Sequence, residues 1–154
     1  MSGKREKKTE YSVFSISGKL FGLDISSVKE VLKLPRVTRL PNTGKYILGV
    51  YNLRGSIISL LDLHQALGLD VQQSECGDMV IVIEENNLRL SFVVDKVMDF
   101  VKIAQSMIQT PLDEQNFGNE KFVSGTYKHE SFGQIFLLNH NNILVADNFE
   151  EMSA

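Results

Sequence analysis

Apolar positions along this chain change period often, and each regular stretch is short. From Tyr11 to Ile16 they alternate loosely with serines, Ser17-Gly18-Lys19 interrupts, and Leu20-Phe21-Gly22-Leu23 follows. Alternation broken by a glycine turn predicts a hairpin. Val28 and Val31 have the spacing of one helical turn, while Val31-Leu32-Lys33-Leu34 fits the start of a strand equally well, so both readings stand. Beyond Pro35, Val37-Thr38-Arg39-Leu40-Pro41 resumes as extended chain. Gly49 to Leu53 reads as a strand that turns at Arg54-Gly55 and returns as Ser56 to Leu61, with Gly55 free to take a positive φ. Asp62 stands where a helix cap belongs, before Leu63-His64-Gln65-Ala66-Leu67, and Gly68 is a stop. Met79-Val80-Ile81-Val82-Ile83 is continuously apolar, which suits a strand covered on both faces. Leu88 to Val94 returns after the turn at 84–87. Two further strands flank residues 128–133, and residues 139–145 suit a short closing helix.

The halves of the chain repeat this order. Leu20-Phe21-Gly22-Leu23 with Val28 and Val31 corresponds to Arg89-Leu90-Ser91-Phe92 with Val97 and Phe100. Gly49-Val50-Tyr51 and Leu60-Leu61-Asp62 correspond to Gly125-Thr126-Tyr127 and Leu137-Leu138-Asn139. The repeat predicts a mainly β chain of two similar units in tandem, each of about five short strands, and closure into small barrels removes exposed sheet edges. Units so small need a shared apolar seam, for which Val28, Val31, Val97 and Phe100 are the candidates.

Charge and composition narrow the function classes. A net charge of −3 gives no field that favours nucleic acid, and no basic stripe with interleaved aromatics appears. No apolar run is long enough to insert in a membrane. The charged start lacks the apolar stretch of a secretion signal, and the single Cys76 has no internal disulfide partner, so a cytoplasmic location is expected. The polar ends read as those of a stand-alone protein.

The search for chemistry finds no catalytic constellation. His64, His129 and His140 have no metal-face spacing and read as surface histidines. Cys76 has no adjacent histidine or basic residue to activate it. Asp24, Asp62, Asp95 and Asp99 each stand beside a candidate helical turn and read as caps rather than as an acid pair. No metal or cofactor is expected. Arg54 remains: a charge at a hairpin tip between apolar strands is not needed for folding, and arginine is enriched at interface hot spots. A seam open to solvent along Val28, Val31, Val97 and Phe100 would suit an amphipathic helix.

Gly49-x-x-Asn52-Leu53-Arg54-Gly55 with Asp62-Leu63 resembles the signature of the CheW family of chemotaxis coupling proteins. Phe21 to Ile25 with Val28-x-Glu30-Val31, Val37 to Thr43, and Val93-Val94-Asp95-x-Val97 extend the resemblance over nearly the whole chain. It implies two intertwined five-stranded SH3-like β-barrels with short helices and a non-enzymatic adaptor. The implied layout is a disordered arm at 1–9 and one domain at 10–146. The domain holds subdomains near 20–75 and 78–140 with the N-terminal strand crossing over, and a tail follows at 147–154. The implied partners are the tip helix of a chemoreceptor and the regulatory domain of the histidine kinase CheA. Carried over by position, Val28, Glu30, Val31, Arg54, Val97 and Phe100 are expected at the receptor, and Val37, Leu48, Gly49 and Ile57 at the kinase. Ser59 and Gly44 stand where the family often has proline, which loosens the backbone there.

Overall fold

A computed structural model describes residues 7–41, 46–69, 77–110 and 120–145. Among the described residues ten strands and two short α-helices follow one another: β1 (Lys8–Ile16), β2 (Lys19–Asp24), β3 (Val28–Lys33), β4 (Ile47–Leu53), β5 (Ser56–Leu61), α1 (Leu63–Ala66), β6 (Met79–Glu85), β7 (Leu88–Val94), β8 (Lys96–Ala104), β9 (Val123–His129), β10 (Gly133–Leu138) and α2 (His140–Leu144). The segment around Val28 and Val31, open between helix and strand in the sequence, is the strand β3. The hairpins β1–β2, β4–β5 and β6–β7 turn on two residues with positive φ: Ser17-Gly18, Arg54-Gly55 and Asn86-Asn87. Two-residue turns of this hand match the twist of the strands they join. The helices are capped alike, Asp62 accepting from the Gln65 N–H and Asn139 from the Asn142 N–H, each at 3.1 Å.

The strands form two five-stranded sheets, ordered β8-β1-β2-β10-β9 and β3-β6-β7-β5-β4. The orders are equivalent under the repeat seen in the sequence, but each unit borrows a hairpin. The β1–β2 hairpin completes the sheet of β8 to β10, and the β6–β7 hairpin completes the sheet of β3 to β5. Boundaries near 20–75 and 78–140 therefore do not separate the sheets, because β2 and the β6–β7 hairpin each lie on the far side of them. Among the described residues the chain passes between sheets twice, through the 3₁₀ turn Ile25–Ser27, capped by Asp24 at the end of β2, and through Asp95 alone. At the N-terminus, Lys8 and Thr9 are not arm but the start of β1, paired with Ala104 and Ile103. The rest of the expected arm at 1–6, and the expected tail at 147–154, lie outside the described residues.

Neither sheet is a continuously closed cylinder. In each, the segment after one edge strand reaches the other edge through a single pair. Thr38 and Val50 exchange backbone hydrogen bonds of 2.8 and 2.9 Å, and Gln109 and Thr126 exchange bonds of 2.8 and 2.7 Å. Both closures need a glycine beside them. A Cβ on Gly49 would stand 2.4 Å from the Thr38 carbonyl oxygen, and one on Gly125 would stand 2.6 Å from Ile108 Cγ2. The repeated glycine of the sequence thus has a steric cause: only a residue without a side chain lets the closing segment approach.

Apolar side chains divide into three clusters. Tyr51, Ile58, Leu60, Val80 and Val82 fill the barrel of β3 to β7. Tyr11, Val13, Val101, Ile103, Ile135 and Leu137 fill the other. The largest cluster lies between them, with Phe14, Phe21, Ile81, Ile83 and Phe92 among its buried members. Met79 to Ile83 is thus covered on both faces because Val80 and Val82 enter a barrel while Ile81 and Ile83 enter the seam. The seam is built by the exchanged hairpins together with residues of β5, α1, β10 and α2, and not by the residues expected there. Val31, Val97 and Phe100 are 38%, 37% and 57% exposed, and Val28 only packs at its margin.

Candidate functional site

The residues expected at a receptor lie on three elements. Val28, Glu30 and Val31 are on β3, an edge strand that alternates half-buried and exposed residues. Arg54 is the first residue of the β4–β5 turn, with φ of 50°, and the Asn52 side chain accepts from the next N–H, that of Gly55, at 2.9 Å. From that turn the guanidinium reaches β3 and meets the Glu30 carboxylate edge to edge, Nη1 to Oε1 at 2.7 Å and Nη2 to Oε2 at 2.6 Å. Arg54 is therefore already engaged within the chain. An exposed pair of this kind adds little stability, but the planar fork fixes direction. Hydrogen bonding from Arg54 holds the Glu30 carboxyl below the usual carboxylate range, against desolvation, which raises it, and with further lowering from the positive charges of Arg54 and Lys29. The Glu30 hydrogen bond likewise raises Arg54.

Val97 and Phe100 lie on β8, the edge of the other sheet. Here Lys96 to Phe100 are exposed in succession, where strand alternation would hide every second residue. Met98, 43% exposed between them, joins the apolar surface, and the sequence pattern gave no reason to single it out. The structure thus brings Arg54 to β3 and leaves Val97 and Phe100 on a separate edge, each group on the first strand after a passage between sheets.

The residues expected at a kinase gather on the sheet of β3 to β7. Val37 and Leu48 pack, partly buried, against the barrel interior beside the Thr38–Val50 closure. Gly49 is buried there with a steric role of its own. Ile57, opposite Asn52 on the β4–β5 ladder, stands out with 66% of its surface exposed.

Of the three histidines expected at the surface, His64 departs from that placement, while His129 and His140 are half-buried. His64 is buried, its Nε2 3.2 Å from Asp95 Oδ1 and its Nδ1 3.8 Å from Asp62 Oδ1. His140 Nε2 lies 3.1 Å from Glu85 Oε1. His129 Nδ1 accepts the N–H groups of Ser131 and Phe132, closing the β9–β10 turn. Among the aspartates, Asp24 and Asp62 cap turns as expected, with Asp24 accepting from the Ser26 N–H at 2.9 Å. Asp95 caps nothing and instead accepts from the Ser17 N–H at 2.7 Å. Asp99 binds the Phe100 N–H inside β8. Among the described residues no group of three or more histidine, cysteine or acidic side chains is placed to hold a metal ion, and no helix is long and apolar enough to cross a membrane.

Comparison with known proteins gives consistent matches. The chain is 26% identical over 110 residues to the chemotaxis protein CheW of Treponema pallidum, covering 69% of this chain and 65% of that one. It is 26% identical over 127 residues to the chemotaxis protein CheV3 of Helicobacter pylori, covering 81% of this chain but 41% of that one. The aligned part is thus less than two thirds of either relative. Among solved structures, the scaffolding protein TtCheW of Thermoanaerobacter tengcongensis superposes with a TM-score of 0.78 at 28% identity, covering 90% of this chain and 89% of that one. The CheW-like domain model matches residues 10–148, nearly the whole chain: the chain belongs to the CheW-like domain family.

Proposed function

We propose that the chain is a non-enzymatic adaptor that couples chemoreceptors to the histidine kinase CheA in a bacterial chemosensory array, on the cytoplasmic side. The observation that carries this reading is the pairing of two separate exposed apolar sets with one common seam. Val31, Val97, Met98 and Phe100 present edge strands suited to a receptor tip helix, and Ile57 marks a distinct face suited to the kinase regulatory domain. In this reading Val28, Glu30 and Arg54 complete the receptor surface, and Val37, Leu48 and Gly49 shape the kinase face. Neither contact alone has to be tight, since an array supplies several at once. Titration calorimetry of the chain with a receptor-tip fragment and with the kinase regulatory domain tests it. The wild type binds both, and Arg54→Ala weakens the receptor arm about tenfold or more. Wild-type binding to neither removes the adaptor reading, and unchanged binding by the variant removes Arg54 from the contact.

The Helicobacter CheV3 match supports a second reading, because the aligned part is 41% of that protein. The same domain would then work as a module of a larger signalling protein. The mass of the native product in cells, by immunoblot, separates the two readings.

A further inference from the structure

Both passages between sheets carry an aspartate, and the two are bonded differently. At the first, the Asp24 carboxylate accepts from the N–H and the hydroxyl of Ser26, and among the described residues its bonds stay within the passage. At the second, Asp95 is the sole residue between β7 in one sheet and β8 in the other. One of its oxygens accepts from His64 Nε2–H at 3.2 Å, on the helix that follows β5. The other accepts from the Ser17 N–H at 2.7 Å, in the β1–β2 turn of the opposite sheet, and its own N–H donates to Ser15 O at 2.8 Å. His64 and Asp95 side chains are each 10% exposed. A buried carboxylate bonded both to the helix that follows one sheet and to a turn of the other adds direction to the surrounding apolar contacts, which have none.

We infer that Asp95 and His64 are positioning residues that set the angle between the two sheets, and through it the spacing of β3 and β8. The inference rests on the receptor reading above in one respect only, that β3 and β8 act together. Val97 follows Asp95 by two residues, so a turn of the backbone at Asp95 moves Val97, Met98 and Phe100 directly. The face marked by Ile57 lies within one sheet and is not moved by that angle. Receptor affinity should therefore depend on the pair, and kinase affinity should not.

The test combines binding with a distance. Spin labels at Ser56→Cys and Gln134→Cys, exposed positions of different sheets, in a Cys76→Ser background report the inter-sheet distance by pulsed electron paramagnetic resonance. Asp95→Ala and His64→Leu are expected to broaden the distance distribution and to weaken the receptor-tip fragment about three- to tenfold, with the kinase regulatory domain within about twofold of wild type. His64→Gln, which keeps an N–H donor, is expected to restore both. An unchanged distance distribution in Asp95→Ala overturns the inference, as does parallel loss of both affinities, which marks a bond that only stabilises. Should the wild type fail to bind the receptor fragment, the receptor reading falls, and the distance distribution still decides whether Asp95 sets the angle.

Discussion

Truncating Phe92 to alanine tests whether the exchanged hairpins make one cooperative body. Phe92 stands on β7, fully buried, with its ring centroid 5.7 Å from that of Phe14 on β1. The two rings belong to different sheets and meet in the seam, and Phe14 in turn lies 6.3 Å from Phe21. Removing a buried phenyl ring costs about 3–5 kcal/mol through lost transfer energy and the cavity left behind. A domain of this size holds about 5–15 kcal/mol in all, so about a fifth or more of it is at stake. The melting temperature should fall by about 10 °C or more. Because the chain has no tryptophan, far-ultraviolet circular dichroism in urea gives the free energy, and hydrogen exchange read by mass spectrometry gives the location. The expected result is one transition, with peptides from β4–β5 and from β9–β10 losing protection together. Val31→Ala, on an exposed edge, should stay within about 0.5 kcal/mol of wild type. If β9–β10 kept its protection while β4–β5 lost it, the sheets would be independent units and the seam would not be their common core.

Gly49→Ala should destabilise by about 1–3 kcal/mol, because the new methyl meets the Thr38 carbonyl, and loss of protection at the Thr38 and Val50 amides would locate the damage. No change in stability would contradict the steric role of Gly49. The Glu30 carboxyl should titrate below the ordinary 4.5 in the wild type and rise toward it in Arg54→Ala, as read by carbon NMR. A depressed folded value means that the pair favours the fold at neutral pH and stops doing so as pH falls below 4.5 and through that depressed value. An unmoved midpoint in the variant would separate the two residues in solution. Ile57→Ser should leave stability within about 0.5 kcal/mol and weaken only the kinase arm, and an equal loss in the receptor arm would contradict the division of faces.

Much of the fold was legible because it rests on local causes. The Arg54-Gly55 turn, the Asp62 cap and the doubly covered Met79 to Ile83 strand all follow from residues a few positions apart, and the internal repeat follows from matching the order of such local patterns in the two halves. Exchange of the hairpins was not legible from the residue pattern, since two similar units carry strands that fit either partner and the repeat alone does not say which copy pairs with which; only the family resemblance implied intertwined barrels with the N-terminal strand crossing over. The misplaced seam follows from the same ambiguity. Val31, Val97 and Phe100 look like core by residue type, yet among the described residues each stands on an edge strand with a third or more of its surface exposed. His64 offered no local signal either, as its partner Asp95 is distant in sequence and comes near only when the sheets meet. Arg54 was legible as a turn residue, but its pairing with Glu30 depends on β3 and the β4–β5 turn meeting across the barrel closure.

An adaptor of this kind holds two different proteins at the same time. Sedimentation velocity of the chain mixed with a labelled receptor-tip fragment and the kinase regulatory domain shows whether it does. The expected result is a species containing all three, larger than either binary complex. If the kinase domain instead displaced the receptor fragment, leaving only binary complexes at every ratio, the two surfaces would be one and the chain would not be an adaptor.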